Sequence, residues 1–252
     1  MYEPETFNYL SYISDKVKKD IWINLIERHL VENFLNLING RTYNFRKNEN
    51  SSINDMKLMK EIKHKFSKEV STLDFDNYVK RNQISFLIKS PNLQLNKIAK
   101  NFPNFKMIII KRNPFQVINS LINKKWFKGK NYLKTFLPSV KIKGKFYPIW
   151  MRNKYINLWH NSNEYTKCAI YLSCTNEQIK EIKKKIVVDY DELIEKPKST
   201  INILLKRLNL KKTKKTHQII KNIKLSKTAK NINMSYFKKK ISQDLLKSIQ
   251  NI

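Results

Sequence analysis

Four successive apolar residues, Met107-Ile108-Ile109-Ile110, lie between a Phe102-Pro103 break and a Lys111-Arg112-Asn113-Pro114 stop. This run constrains the fold more than any other feature. A short apolar run that does not alternate, bounded by proline on both sides, reads as a strand buried on both faces. Pro114 stands where the first turn of a helix accepts proline. Ile84-Ser85-Phe86-Leu87-Ile88, stopped by Ser90-Pro91, has the same character, and Ile186-Val187-Val188 supplies a third such segment. Residues 92–101 read as a helix with Leu93, Leu95, Ile98 and Ala99 inward, and a further helix is expected near 175–184. Strand, helix and strand in alternation predict an α/β fold with a parallel sheet flanked by helices.

Residues 16–39 read as an amphipathic helix with Ile21, Ile23, Leu25, Ile26, Leu30, Phe34, Leu35 and Ile38 on one stripe, stopped by Asn39-Gly40. A polar loop over 41–55 and a charged helix over roughly 54–69 follow. Beyond residue 197 the chain becomes helical and basic, over 200–209, 213–223 and 240–251. No repeat, heptad pattern or low-complexity linker divides it, so one domain spanning 1–252 is expected.

With 252 residues and 41% hydrophobic content, the chain can bury a sizeable core and is not a disordered polyelectrolyte. Its formal charge of +31 favours anionic partners. Lysines are scattered along the whole chain beside abundant Asn and Ile and scarce Gly, as AT-rich codon usage produces, so charge alone does not select a partner. A basic nucleic-acid-binding protein is a rival reading. The basic helices after residue 197 carry few aromatics for base stacking, and no specific nucleic acid is expected. Cys168 and Cys174 fit no metal-binding spacing; six residues apart on a helix, they lie on different faces, as buried free thiols in a reducing compartment. The first residues carry neither a basic start nor an apolar core of a signal peptide, and no apolar run reaches the ~20 residues of a membrane span. A cytoplasmic location is the expectation.

In an open parallel sheet, ligands bind beyond the carboxyl ends of the strands. Two basic clusters fall there: Lys89-Ser90-Pro91 and Lys111-Arg112-Asn113-Pro114. An arginine at a strand end followed by a proline-started helix offers an anion a bidentate fork together with a helix N-terminus. Ser120, two turns along that helix, reaches the same anion if it lies along the helix flank.

The segment FPNFKMIIIKRNPFQVINS (102–120) resembles the 3′-phosphate-binding segment of sulfotransferases: a Phe-Pro turn, an apolar strand, Arg-Asp/Asn-Pro, and a Ser eight residues after the Arg. FLIKSPNLQLNKIAKNFPN (86–104) is similar to the lysine-bearing strand end just upstream in the protein-tyrosine and heparan types. VVDYDELIEKP (187–197) looks like the family's Val-x-Tyr-Glu-Asp-Leu-x-x-x-Pro, and Tyr2-Glu3-Pro4-Glu5-Thr6-Phe7 looks like its acidic segment. The resemblance implies a P-loop-like fold, with 3′-phosphoadenosine 5′-phosphosulfate as co-substrate and a carbohydrate, peptide or small molecule as acceptor. It assigns Arg112 and Ser120 to the 3′-phosphate, Tyr190 to the neighbourhood of the nucleotide, and Lys89 to the transferring sulfuryl group. Glu3 or Glu5 becomes the general base, and no metal is required. Asp191 follows the same pattern and is a candidate cap for the helix containing Leu193.

The family's opening loop, Gly-x-Pro-Arg-Ser-Gly-Thr-Thr, is not in this sequence: Gly40, Gly129 and Gly144 have no such context. That departure predicts feeble transfer by this polypeptide and keeps a non-catalytic nucleotide-binding relic as the alternative. Ten aromatics between Trp126 and Tyr165 are candidates for an acceptor cleft, with core packing the expected role of most.

Overall fold

A computed structural model describes residues 9–10, 12–38, 95–135, 139–223 and 234–250. The chain divides into two compact units, Met1–Pro91 and Asn92–Ile252. The sequence-based strand at 84–88, the helix at 54–69 and the residues Glu3, Glu5 and Lys89 lie outside the described residues.

In the first unit, helix α1 (Lys19–Ile38) carries the expected helix but buries a different stripe. Trp22, Ile26 and Asn33 are buried, while Ile21, Leu25 and Val31 are exposed. Spacings of four and seven keep Trp22, Ile26 and Asn33 on one face. Trp22 fixes the choice, because its large ring is inside and its Nε1–H donates to the Leu10 carbonyl at 2.6 Å. Asn33 is tolerated inside because its amide donates to the His29 carbonyl one turn back.

The second unit is α/β, with a small parallel sheet flanked by helices; the expected burial of its strands on both faces is not met, because Ile109 and Val188 are buried while Ile110 and Val187 are exposed. Helix α2 (Leu95–Asn101) leads through the Phe102-Pro103 turn into β1 (Met107–Lys111), followed by α3 (Pro114–Asn123) and the short α4 (Tyr132–Thr135). An antiparallel hairpin, β2 (Ser139–Ile142) and β3 (Lys145–Pro148), comes next. It is absent from the sequence-based reading. Its turn is Lys143-Gly144, both with positive φ, which suits the two-residue turns that match strand twist; lysine in the first position disguises the usual Asn-Gly signal.

A short 3-10 turn (Asn153–Tyr155) and α5 (Ile156–Trp159) lead into α6 (Glu164–Glu181), the axis of the unit. This helix starts well before the expected 175 and ends before 184. Asn163 sets the start by accepting from the Thr166 N–H. Ten of its residues are buried, including polar Thr166, Ser173, Asn176 and Gln178, so the sequence shows no one-sided apolar stripe. Neighbouring elements satisfy the inward polar groups. Tyr155 and Ser173 pair at 2.7 Å, and Asn176 donates to the carbonyls of Ser248 and Ile249. Cys168 and Cys174 are both buried free thiols, because a helix packed on all sides buries both of their faces.

After α6 come β4 (Lys185–Asp189), α7 (Tyr190–Glu195), α8 (Pro197–Leu208), α9 (Lys214–Asn222), α10 (Met234–Lys240) and α11 (Gln243–Gln250). Helices α10 and α11 replace the single terminal helix expected over 240–251. Helices α3, α10 and α11 pack on α6. Most of the aromatic stretch belongs to this core. Phe127, Trp150, Trp159 and Tyr171 are buried and meet edge-on or tilted at centroid separations of 5.0 to 6.4 Å. Phe146 is exposed.

Candidate functional site

Strands β1 and β4 pair in parallel with Met107 opposite Lys185 and Lys111 opposite Asp189, so their carboxyl ends lie side by side. Arg112 is the first residue past β1 and Tyr190 the first past β4. The register therefore brings together two residues that are far apart in sequence. The Arg112 guanidinium lies over the Tyr190 ring, 4.5 Å from its centroid. Its Nε–H donates to Gln116 Oε1 at 2.9 Å, one helical turn along. The Nη atoms have no hydrogen-bond acceptor among the described residues. A guanidinium fixed by a ring on one side and an amide at its base has its fork held ready for an anion.

The helix behind it starts as the sequence predicts. Pro114 occupies the first turn, and Asn113 caps α3 by accepting from the Phe115 N–H at 3.0 Å. Phe115, Ile118 and Leu121 anchor one face of α3 in the core. Gln116 and Ser120 stand four residues apart on another face. The bond to Gln116 draws the guanidinium up the helix flank, to about one turn (~6 Å of rise) below Ser120. Ser120 is half-buried, and its hydroxyl has no partner among the described residues.

On the β4 side, the cap of α7 is Asp189 and not Asp191. Asp189 Oδ1 accepts from the N–H groups of Asp191 and Glu192, at 2.8 and 3.2 Å. The helix starts at Tyr190, which leaves Asp191 already inside the first turn, where it favours the positive end of the helix dipole. Of the residues that the sequence singles out, Arg112 and Tyr190 are in contact and Ser120 stands further along α3; Gln116, whose signal is its position four residues after the arginine, is not among them.

A shallow hollow of about 500 Å³ lies elsewhere, between α7 and α8, lined by Glu195, Lys196, Lys198, Ser199 and Asn202. It includes none of the strand-end residues, and its own carboxylate sits beside its cations, so the strand ends are the better anion site. His160 lies edge-on to Tyr147 at 4.7 Å, and burial lowers its pKa, with Lys145 and Lys167 pushing the same way. The thiols are not nucleophiles: burial drives Cys168 above its ordinary range and Cys174 to about 12. Among the described residues no group of three His, Cys, Asp or Glu side chains is disposed to hold a metal, and no helix is long and apolar enough to cross a membrane.

Compared with models of protein families, with curated proteins and with solved structures, the chain matches none.

Proposed function

We propose that the chain is a sulfotransferase of the P-loop-like fold, whose strand-end arginine holds the 3′-phosphate of 3′-phosphoadenosine 5′-phosphosulfate. One observation carries the reading. Arg112, at the carboxyl end of a parallel strand, is fixed by Gln116 and Tyr190 with its fork unpaired among the described residues, and Ser120 follows on the flank of the same helix. A phosphate lying along that flank takes two charge-assisted bonds from the fork and one from the hydroxyl.

The roles that the resemblance gives to Lys89, Glu3 and Glu5 complete the scheme. The bond between sulfur and the bridging phosphate oxygen breaks as a bond from sulfur to the acceptor oxygen or nitrogen forms. Lys89 neutralises charge on the sulfuryl oxygens and the leaving phosphate. Glu3 or Glu5 takes the acceptor's proton, and 3′,5′-adenosine bisphosphate leaves. Sulfuryl transfer makes the same demands as phosphoryl transfer, namely in-line positioning and positive charge around a spreading anion.

The test is isothermal titration with 3′,5′-adenosine bisphosphate. Binding that falls at least tenfold in Arg112→Ala and severalfold in Ser120→Ala is expected. A folded protein that binds none, or an Arg112→Ala variant that binds as well as the parent, removes the assignment.

A further inference from the structure

The carboxylates of residues 92–252 are few, and the fold uses nearly all of them. Asp189 caps α7, with Asp191 and Glu192 in its first turn. Glu164 and Asp244 occupy the first turns of α6 and α11. Glu177 and Glu181 pair with Arg152 and Lys154. Only Glu195 is left over. Against these 8 acids stand 36 Lys and Arg, giving +28 of the chain's formal +31, whereas residues 1–91 carry 15 against 12, or +3. Lysine-rich codon drift raises the basic count in both units but does not strip the acids from one of them.

The topology gathers exposed cations at the amino ends of the parallel strands, the pole opposite Arg112. Lys106 immediately precedes β1, Lys183 and Lys184 precede β4, and the pairing of Met107 with Lys185 sets the two strand starts side by side. Lys106 Nζ donates to the Leu208 carbonyl at 3.0 Å, which brings in the end of α8 with Lys206 and Arg207, then Lys211 and Lys212. All seven are exposed, and none is ion-paired with a carboxylate among the described residues. Lys185 is turned inward, donating to the carbonyls of Ile179 and Ile182, and does not join them.

We propose that this amino-pole patch docks the phosphodiester backbone of a nucleic acid. Six of its seven cations are lysines, compact point charges suited to successive phosphates, with little of the arginine that reads base edges. No exposed large hydrophobic residue falls within 103–106, 183–185 or 206–212, so the patch has nothing to insert into a bilayer. Phe105, the aromatic of these segments, is stacked on Phe102 with centroids 4.8 Å apart, so base stacking is not its mode. The inference is independent of the Arg112 site, which lies past the other end of the same two strands.

The experiment measures fluorescence anisotropy of a labelled DNA duplex of about 20 base pairs over a salt series. It compares the full chain with two four-lysine variants of equal net charge. One changes Lys183, Lys184, Lys211 and Lys212 to Gln; the other changes Lys124, Lys128, Lys130 and Lys141, exposed lysines outside the patch. Each phosphate contact contributes a slope of about −0.9 in log K against log salt. The patch variant, losing four contacts, is expected to flatten that slope by about 3 to 4 and to weaken binding more than tenfold near 150 mM salt, with the control within about 1 of the parent. Equal losses in the two variants, or no binding by the parent near 150 mM, overturns the proposal. So does capture by anionic lipid vesicles that depends on the patch while the duplex goes unbound.

Discussion

Replacing Arg112 with lysine keeps the charge at the strand end and removes everything else the geometry provides. The ammonium cannot present two parallel N–H groups, and its donor does not sit where Nε reaches Gln116 Oε1 at 2.9 Å. It also gives up the planar stack 4.5 Å from the Tyr190 centroid. A hydrogen bond to a charged group is worth about 1.5–3 kcal/mol and a half-exposed cation–π contact about 0.5–1 kcal/mol. Arg112→Lys should therefore cost about 2–3 kcal/mol of binding to 3′,5′-adenosine bisphosphate, roughly 30- to 150-fold in Kd. Tyr190→Phe retains the ring face and should bind within about twofold of the parent; Tyr190→Ala, which loses the face, should bind about two- to fivefold more weakly. Adenosine 5′-monophosphate, lacking the 3′-phosphate, should be indifferent to all three substitutions. Titration calorimetry on folded variants measures each arm. An Arg112→Lys protein that binds like the parent refutes the fork, and a Tyr190→Phe protein that falls as far as Tyr190→Ala refutes the stack.

Three further outcomes follow from the packing and capping. Trp159 is fully buried with edge-on contacts to Phe127, Tyr132 and Trp150, so Trp159→Ala should lower stability by about 3–5 kcal/mol; a urea midpoint that hardly moves would contradict that core. Asn113→Ala removes the acceptor for the Phe115 N–H and should cost about 1 kcal/mol, read from the same denaturant curve. Burial raises Cys174 from 9.0 to about 12, so the unfolded chain releases this proton first as pH rises. The thiol's contribution is intact below pH 9 and is lost between pH 9 and about 12, at up to ~1.4 kcal/mol per pH unit. Stability measured from pH 8 to 10.5 should fall less steeply in Cys174→Ala; parallel slopes would place the thiol in solvent.

Local chemistry made the strands and the α3 start readable. Met107–Ile110 and Ile186–Val188 are unalternating apolar runs, and Asn113-Pro114 announces a helix. What the sequence could not show is register. That Lys111 lies opposite Asp189, and hence that Arg112 meets Tyr190, depends on a pairing between segments separated by several helices and a hairpin. In α1, large aliphatics at 21 and 25 obscure the stripe of Trp22, Ile26 and Asn33, because an asparagine inside and isoleucine and leucine outside blur the apolar period. In α6, burial on every side erases the period that a one-faced helix displays, so the sequence does not show its start at Glu164. The family-like pattern points to Asp191 as a candidate cap of α7, but Asp189, two residues before it, has the capping geometry.

The most direct measurement is the crystal structure of the chain bound to 3′,5′-adenosine bisphosphate. The 3′-phosphate is expected against the flank of α3, within hydrogen-bonding distance of the Arg112 Nη atoms and Ser120 Oγ, with Tyr190 still beneath the guanidinium. A bisphosphate seated elsewhere, with the Arg112 fork facing solvent, would contradict it.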